Sequence, residues 1–139
     1  MAQLTPGDAQ DLLERYKRAW EARDPDLAME LYAADAEFRL DPFEEPAHGE
    51  NEIRAIWNDV AATQANVEFD AERTWAVGQT VLASWHVAFT RRSNAERVRL
   101  RGFSTFACVA ATSFQIARIS FPPCAGSSNG SSRNSASAA

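Results

Sequence analysis

Residues 36–57 read AEFRLDPFEEPAHGENEIRAIW, and the periodicity changes twice within them. Ala36-Glu37-Phe38-Arg39-Leu40 alternates apolar and polar with period two, the pattern of a short strand with one covered face. Asp41-Pro42-Phe43-Glu44-Glu45-Pro46 cannot extend that strand, because its prolines lack the amide donors of a central ladder. After Gly49, residues Ile53, Ile56, Trp57 and Val60 recur at helical spacing. A strand, a proline-bounded loop and a helix therefore follow one another directly.

Working back from this stretch, two further helices are expected. Thr5 caps the first, Pro6 suits its opening position, and Asp8 sits where a carboxylate meets free backbone N–H groups. Ala9, Leu12, Leu13, Tyr16, Ala19 and Trp20 then form one apolar stripe. Pro25 disfavours helix at the residue before it, so the first helix ends at Arg23-Asp24. The same Asp24 and Pro25 open a second helix, with Leu27, Leu31 and Tyr32 on its apolar side.

Forward of the stretch the chain reads as strands, at 66–77, 80–92, 96–109 and 113–121, broken at Gly78-Gln79, Ser93-Asn94 and near Ala110. Helices followed by a run of antiparallel strands define an α+β domain with the helices on one face of the sheet. One domain spans 1–121. Residues 122–139, PPCAGSSNGSSRNSASAA, offer almost nothing to bury and are expected to be disordered. Gly126-Ser127-Ser128-Asn129-Gly130 matches a nucleophile-elbow pattern by chance, with no strand before it or helix after it.

Composition excludes several classes of function. The 139 residues carry a net charge of −5, which argues against nucleic-acid binding, since that needs a basic face. No apolar run approaches the ~20 residues of a membrane span, and no secretory signal opens the chain, so a cytoplasmic location is expected. Cys108 and Cys124 have no metal-ligand spacing, and neither a metal nor a cofactor is expected. The charge is uneven: all 19 acidic residues precede residue 97, and five arginines follow.

Arg15-Tyr16, Trp20, Asp24-Pro25 and Leu31-Tyr32-Ala33-Ala34-Asp35-Ala36, followed by Asp41 to Trp57, resemble the corresponding segments of nuclear transport factor 2-like domains. Within that superfamily the resemblance is to the SnoaL-like branch, which includes the ketosteroid isomerases, and it covers roughly residues 10–106. It implies a cone of three amino-terminal helices on a strongly curved antiparallel sheet, enclosing an apolar pocket for a small hydrophobic molecule. It also implies homodimers formed through the outer sheet face.

The resemblance assigns roles. Asp41 falls on the loop aspartate that shuttles a proton beside a carbonyl, Tyr16 on the tyrosine that hydrogen-bonds the enolate oxygen, and Tyr32 on a supporting tyrosine. Trp57 replaces a pocket aromatic; Trp20, Phe38 and Leu82 are further candidates for the lining. A second acid, expected near Gly102, is missing. So are the arginine and aspartates of the related limonene epoxide hydrolases, where this chain reads Leu82-Ala83-Ser84-Trp85-His86-Val87.

Each role has a plainer competitor. Asp41 can be a turn aspartate bonding its own backbone, and Tyr16 a core tyrosine. In the 80–92 strand, Trp85, Val87 and Phe89 share one face, and Ser84, His86 and Ala88 the other. If the bulky face is the dimer surface, His86 points into the cone beside Ser84 and can replace the missing acid as donor or base. Three functions follow: an isomerase- or lyase-type enzyme using Asp41, Tyr16 and His86; a ligand-binding module without chemistry; or a dimerising scaffold whose outer face carries Trp85, Val87, Phe89 and Phe103.

Overall fold

The computed structural model describes residues 3–40, 43–109 and 115–120. Its elements are α1 (Pro6–Ala22), α2 (Pro25–Met29), β1 (Tyr32–Arg39), β2 (Ala47–His48), α3 (Gly49–Thr63), β3 (Gln64–Val77), β4 (Thr80–Arg91), β5 (Arg97–Val109) and β6 (Gln115–Ser120). The mixed α+β order and the helix-backed sheet expected from the sequence are both present. The 122–139 segment lies outside the described residues.

α1 starts as its sequence requires. The Thr5 side chain accepts from the Asp8 N–H at 3.1 Å, and the Asp8 carboxylate accepts from the Thr5 N–H at 2.9 Å. Such a reciprocal box satisfies two orphan donors and contributes about 1 kcal/mol. The buried residues of α1 are the six of the expected stripe, Ala9 through Trp20. α2 is shorter than its sequence pattern suggests. It stops at Met29, and Tyr32 opens a strand, because the Leu31 carbonyl accepts from the Ile116 N–H at 2.7 Å and draws the chain onto β6. Tertiary pairing here overrides a weak helical period.

The six strands run in the order β2-β1-β6-β5-β4-β3. Neighbours are antiparallel except β1 and β6, which run parallel. The register of β3 shifts between Ala65 and Glu68, and again between Ala71 and Arg73. Extra residues of this kind bend a strand and increase its twist, so β3 curls around α1. Asn66, with φ of 51°, takes the left-handed conformation in the first irregularity, a conformation asparagine tolerates better than most residues.

β3 is also an edge strand, and α1 covers it at one point. Lys17 Nζ donates to the Phe69 carbonyl at 2.7 Å, and Glu21 accepts from the Phe69 N–H at 3.0 Å. Lys17 and Glu21 are themselves paired at 2.7 Å, so an i,i+4 ion pair substitutes for a neighbouring strand at this residue. At the far end of α3, Arg92 Nη1 donates to the Ala61 carbonyl at 3.4 Å and the Arg92 amide to that of Thr63 at 2.9 Å. A cation there suits the negative end of the helix.

The core lies between the helices and the concave face of the sheet. Val81, Ala83, Trp85, Val87 and Phe89 of β4 all point into it, together with Phe69 of β3 and Phe106 of β5. This corrects the expected orientation of β4. Its bulky face is the interior, because burying those five side chains outweighs anything the Ser84-His86-Ala88 face could contribute there.

Candidate functional site

Tyr16 stands at the centre of the core. It is 1% exposed, and four rings meet it edge-on: Trp20, Trp57, Phe69 and Phe106, with centroids between 5.5 and 5.9 Å away. Two of these come from helices and two from strands, so every layer of the fold contributes one wall. Edge-to-face pairs of this kind are each worth about 1 kcal/mol beyond the area they bury.

The polar atoms of this aromatic interior are mostly paired with one another. Trp20 Nε1 donates to Gln64 Oε1 at 2.9 Å. Trp57 Nε1 donates to the Tyr32 hydroxyl at 3.3 Å, and Trp85 Nε1 to Ser104 Oγ at 2.8 Å. The Tyr16 hydroxyl, by contrast, makes no hydrogen bond to any described residue. Burial pushes its pKa well above the usual tyrosine value, with Tyr32 adding to the effect. Burial raises Tyr32 as well, against the small opposing pull of its bond from Trp57. Both phenols therefore remain neutral donors across the physiological range.

Seven of the other expected residues can be placed inside or outside this region. Trp20, Tyr32, Phe38 and Trp57 are buried in the core, with Tyr32 and Phe38 rings 6.1 Å apart. Asp41 and Pro42 lie outside the described residues. His86 does not point into the cone. It lies on the convex face with its side chain 49% exposed, Nδ1 at 2.9 Å from Glu72 and Nε2 at 3.7 Å from Asp70. Leu82 and Ser84 share its strand parity and its face, away from Tyr16. Their expected place in the lining is corrected for the same reason: β4 turns its larger apolar side chains inward.

Sequence reading missed Trp85, Gln64, Ser104, Phe69 and Phe106. The signal for Trp85 was present, since an apolar alternation running from Val81 to Phe89 is that of a core-facing strand. Gln64 and Ser104 gave none. They are buried polar residues explained only by the indole each one receives.

The convex face is chemically different. Glu72 accepts from His86 and, at 2.9 Å, from Arg101, and these hold its carboxyl below the usual range, the His86 bond contributing most. Beyond this charged group, Trp75 and Phe103 lie 6.1 Å apart, each 38% exposed, with the Arg73 guanidinium 5.4 Å over the Trp75 ring. Phe103 thus occupies the outer face as expected, whereas Trp85, Val87 and Phe89 do not. Cys108 is buried, and its thiol is pushed up to about 11 by that burial. Among the described residues no group of three or more His, Cys, Asp or Glu comes together to hold a metal ion. No described helix is long and apolar enough to cross a membrane.

A helix-backed, bent sheet closed over an aromatic interior defines the cone-shaped class shared by nuclear transport factor 2-like proteins. The chain belongs to the SnoaL-like domain family, whose model matches residues 13–111. Among solved structures it is similar to a candidate aromatic ring hydroxylase of Novosphingobium aromaticivorans, at 18% identity and a TM-score of 0.76, over 86% of this chain and 91% of that one. It is similar also to a nuclear transport factor 2-like superfamily protein of Salmonella enterica, with 19% identity, a TM-score of 0.69, and 91% and 99% of the two chains covered. A protein of ketosteroid isomerase-like fold from Catenulispora acidiphila, in complex with trimethylamine, matches at 14% identity and a TM-score of 0.69, over 84% and 87%. None of the curated proteins compared matches the chain.

Proposed function

We propose that the interior binds a small, neutral, hydrophobic carbonyl compound, with the Tyr16 hydroxyl donating to its oxygen. One observation supports this above the others: Tyr16 is a phenol 1% exposed and ringed by aromatic edges, and no described residue takes its hydroxyl as a hydrogen-bond partner. That oxygen is not among the fully buried side-chain atoms left without a partner, and an acceptor on a ligand would give it a hydrogen bond in a water-poor setting. The only buried polar residues among those described, Gln64 and Ser104, are uncharged. A neutral ligand avoids the desolvation penalty that an ion would meet there.

The reaction that fits is proton transfer beside the carbonyl, of isomerase or cyclase type. Asp41 is the proposed base. It removes a proton from the carbon next to the carbonyl while the Tyr16 hydroxyl hydrogen-bonds the oxygen on which negative charge accumulates. The same carboxyl then returns the proton to another carbon of the substrate. A donor that stays neutral is suited to this, because it stabilises the developing charge without being ionised itself. His86 has no part in the proposal, since it sits on the opposite face of the sheet.

Asp41→Asn is expected to abolish turnover of a ketone or enone substrate while leaving thermal stability nearly unchanged. Tyr16→Phe should lower kcat by about a hundredfold, the usual effect of losing one oxyanion donor. Wild-type rates in Asp41→Asn would remove the catalytic half of the proposal. Ligand-induced stabilisation without product would leave a binding module of the same fold. For the assembly we propose a homodimer through the convex face, supported by the Trp75–Phe103 patch and the charged rows beside it.

A further inference from the structure

The three strands of the convex face carry their charges in separate rows. β3 presents Glu68, Asp70 and Glu72 outward, β5 presents Arg97, Arg99 and Arg101, and β4 between them presents the uncharged Ala88 and Ser84 with His86. The rows are in register: Glu68 pairs with Ala88 and Ala88 with Arg99, while Asp70 pairs with His86 and His86 with Arg101. Two of the arginines lean over β4 within the chain, Arg97 to Glu68 at 3.2 Å and Arg101 to Glu72 at 2.9 Å. Arg99 lies exposed between them and has no partner among the described residues. The Asp70 side chain is 62% exposed, with Lys17 at 3.4 Å and His86 at 3.7 Å.

The aromatic patch continues the same grid. Arg73 pairs with Ser84 and Ser84 with Phe103; Trp75 pairs with Leu82 and Leu82 with Thr105. A second copy packed face to face is related to the first by a two-fold axis lying between the sheets. If that axis crosses the strands, β3 covers β3 and β5 covers β5, so acid meets acid and arginine meets arginine. If it runs along β4, β3 of each copy covers β5 of the other and every row keeps its level. Glu68 then faces Arg99 of the second copy, Asp70 faces Arg101, and the aromatic rows meet at the same end. Sheets packed in this way lie about 10 Å apart, a gap that long charged side chains from both can bridge.

We infer that the convex face takes a second copy of this chain with the two-fold axis along β4, the acidic row of each β3 lying on the basic row of the other β5. Arg99 is the residue whose charge this pairing completes. Like charges set face to face oppose association, so the pattern selects this arrangement and rejects the crossed one. The inference rests on the proposed homodimer and adds its orientation.

Sedimentation equilibrium on the full chain gives the dimer dissociation constant. For the wild type it should rise about tenfold from low to high salt, because screening weakens the attraction between the rows. Arg99→Glu should raise it by at least about tenfold. Adding Glu68→Arg to that variant should restore association, because the same two positions meet twice across the axis. Both side chains are exposed, so neither change touches the core. Arg99→Glu associating as tightly as the wild type overturns the inference. So does tighter association, the mark of a crossed axis, where the change relieves arginine facing arginine. Failure of Glu68→Arg to restore the dimer overturns it as well. The homodimer reading is tested apart from this: if Arg99→Glu has no effect while Trp75→Ser with Phe103→Ser gives monomers, the face is the interface and only the orientation fails. A wild type that is monomeric at every concentration removes both.

Discussion

The two faces of β3, β4 and β5 are made by the same strands, one residue apart, and they behave as different materials. Inward, Phe69, Trp85, Val87, Phe89 and Phe106 are almost entirely enclosed, and the indole of Trp85 has its own neutral partner. Outward, the row through His86 carries Asp70 and Arg101, and the rows through Ser84 and Leu82 carry Arg73, Phe103 and Trp75. The inner face takes its rigidity from close packing, where small losses are costly. The outer face consists of ion pairs in water, individually worth little, beside an exposed aromatic patch. A site that must hold a polar atom fixed belongs on the first face, and a surface that must associate with another protein on the second.

The sharpest way to break this contrast is to delete one ring on each side. Phe69→Ala removes a fully buried ring that contacts Tyr16, Trp20 and Trp85, and should cost about 3–5 kcal/mol. Phe103→Ala, on the outer face, should cost under about 1 kcal/mol in the isolated chain. Denaturant melts of the two variants check this, and similar losses would mean the inner packing is not special. Gly102→Ala comes next. A Cβ there would stand 2.3 Å from Trp85 Cζ2, so the substitution should cost about 1–3 kcal/mol by overpacking, although glycine to alanine in an unobstructed strand is normally neutral or stabilising.

These expectations show where the sequence was legible. The α1 stripe from Ala9 to Trp20 could be read residue by residue, because a surface helix shows its buried face as a simple period and its cap as a local motif. The core position of Trp57 followed for the same reason. β4 was misread at the level of which face points inward. Alternation gives two faces and does not say which is covered, and the resemblance to dimeric proteins drew the bulky one outward. The Trp20–Gln64 and Trp85–Ser104 pairs were invisible. Each joins residues 44 and 19 positions apart, and nothing local requires a serine or a glutamine at those positions. The Tyr16 position was readable, but its four-ring enclosure was not.

Alkaline pH probes the inner face through its phenols. Tyr16 and Tyr32 both have raised pKa values in the folded state, Tyr16 well above its usual value. Such a group contributes its full stability below the unfolded value of about 10, and that contribution is lost as pH rises toward the folded value. The wild type should therefore lose stability more steeply than Tyr16→Phe between about pH 10 and pH 12. Parallel urea midpoints for the two proteins across that window would mean that the Tyr16 hydroxyl is not enclosed as described.

On the outer face the association prediction comes first. Replacing both Trp75 and Phe103 with serine removes the exposed patch without touching the core. It should shift the proposed homodimer to monomer in sedimentation, with each folded chain keeping its ligand. If the double variant stays as associated as the wild type, the convex face is not the interface.

The smallest effect belongs to Glu72. Its carboxyl is held below the usual range by His86 first and Arg101 second, so the stability it contributes is present above about pH 4.3, the ordinary glutamate value, and is lost as pH falls through the lowered folded value. Glu72→Gln should thus melt slightly below the wild type at neutral pH and converge with it in acid. Because the carboxylate is screened by water on the open face, the gap at pH 7 should be far smaller than that of Phe69→Ala. A gap of comparable size would mean that the outer face is not merely solvated, and that the His86–Glu72–Arg101 group is enclosed by something, the proposed second copy being the first to examine by repeating the melt at a dilution where the dimer separates.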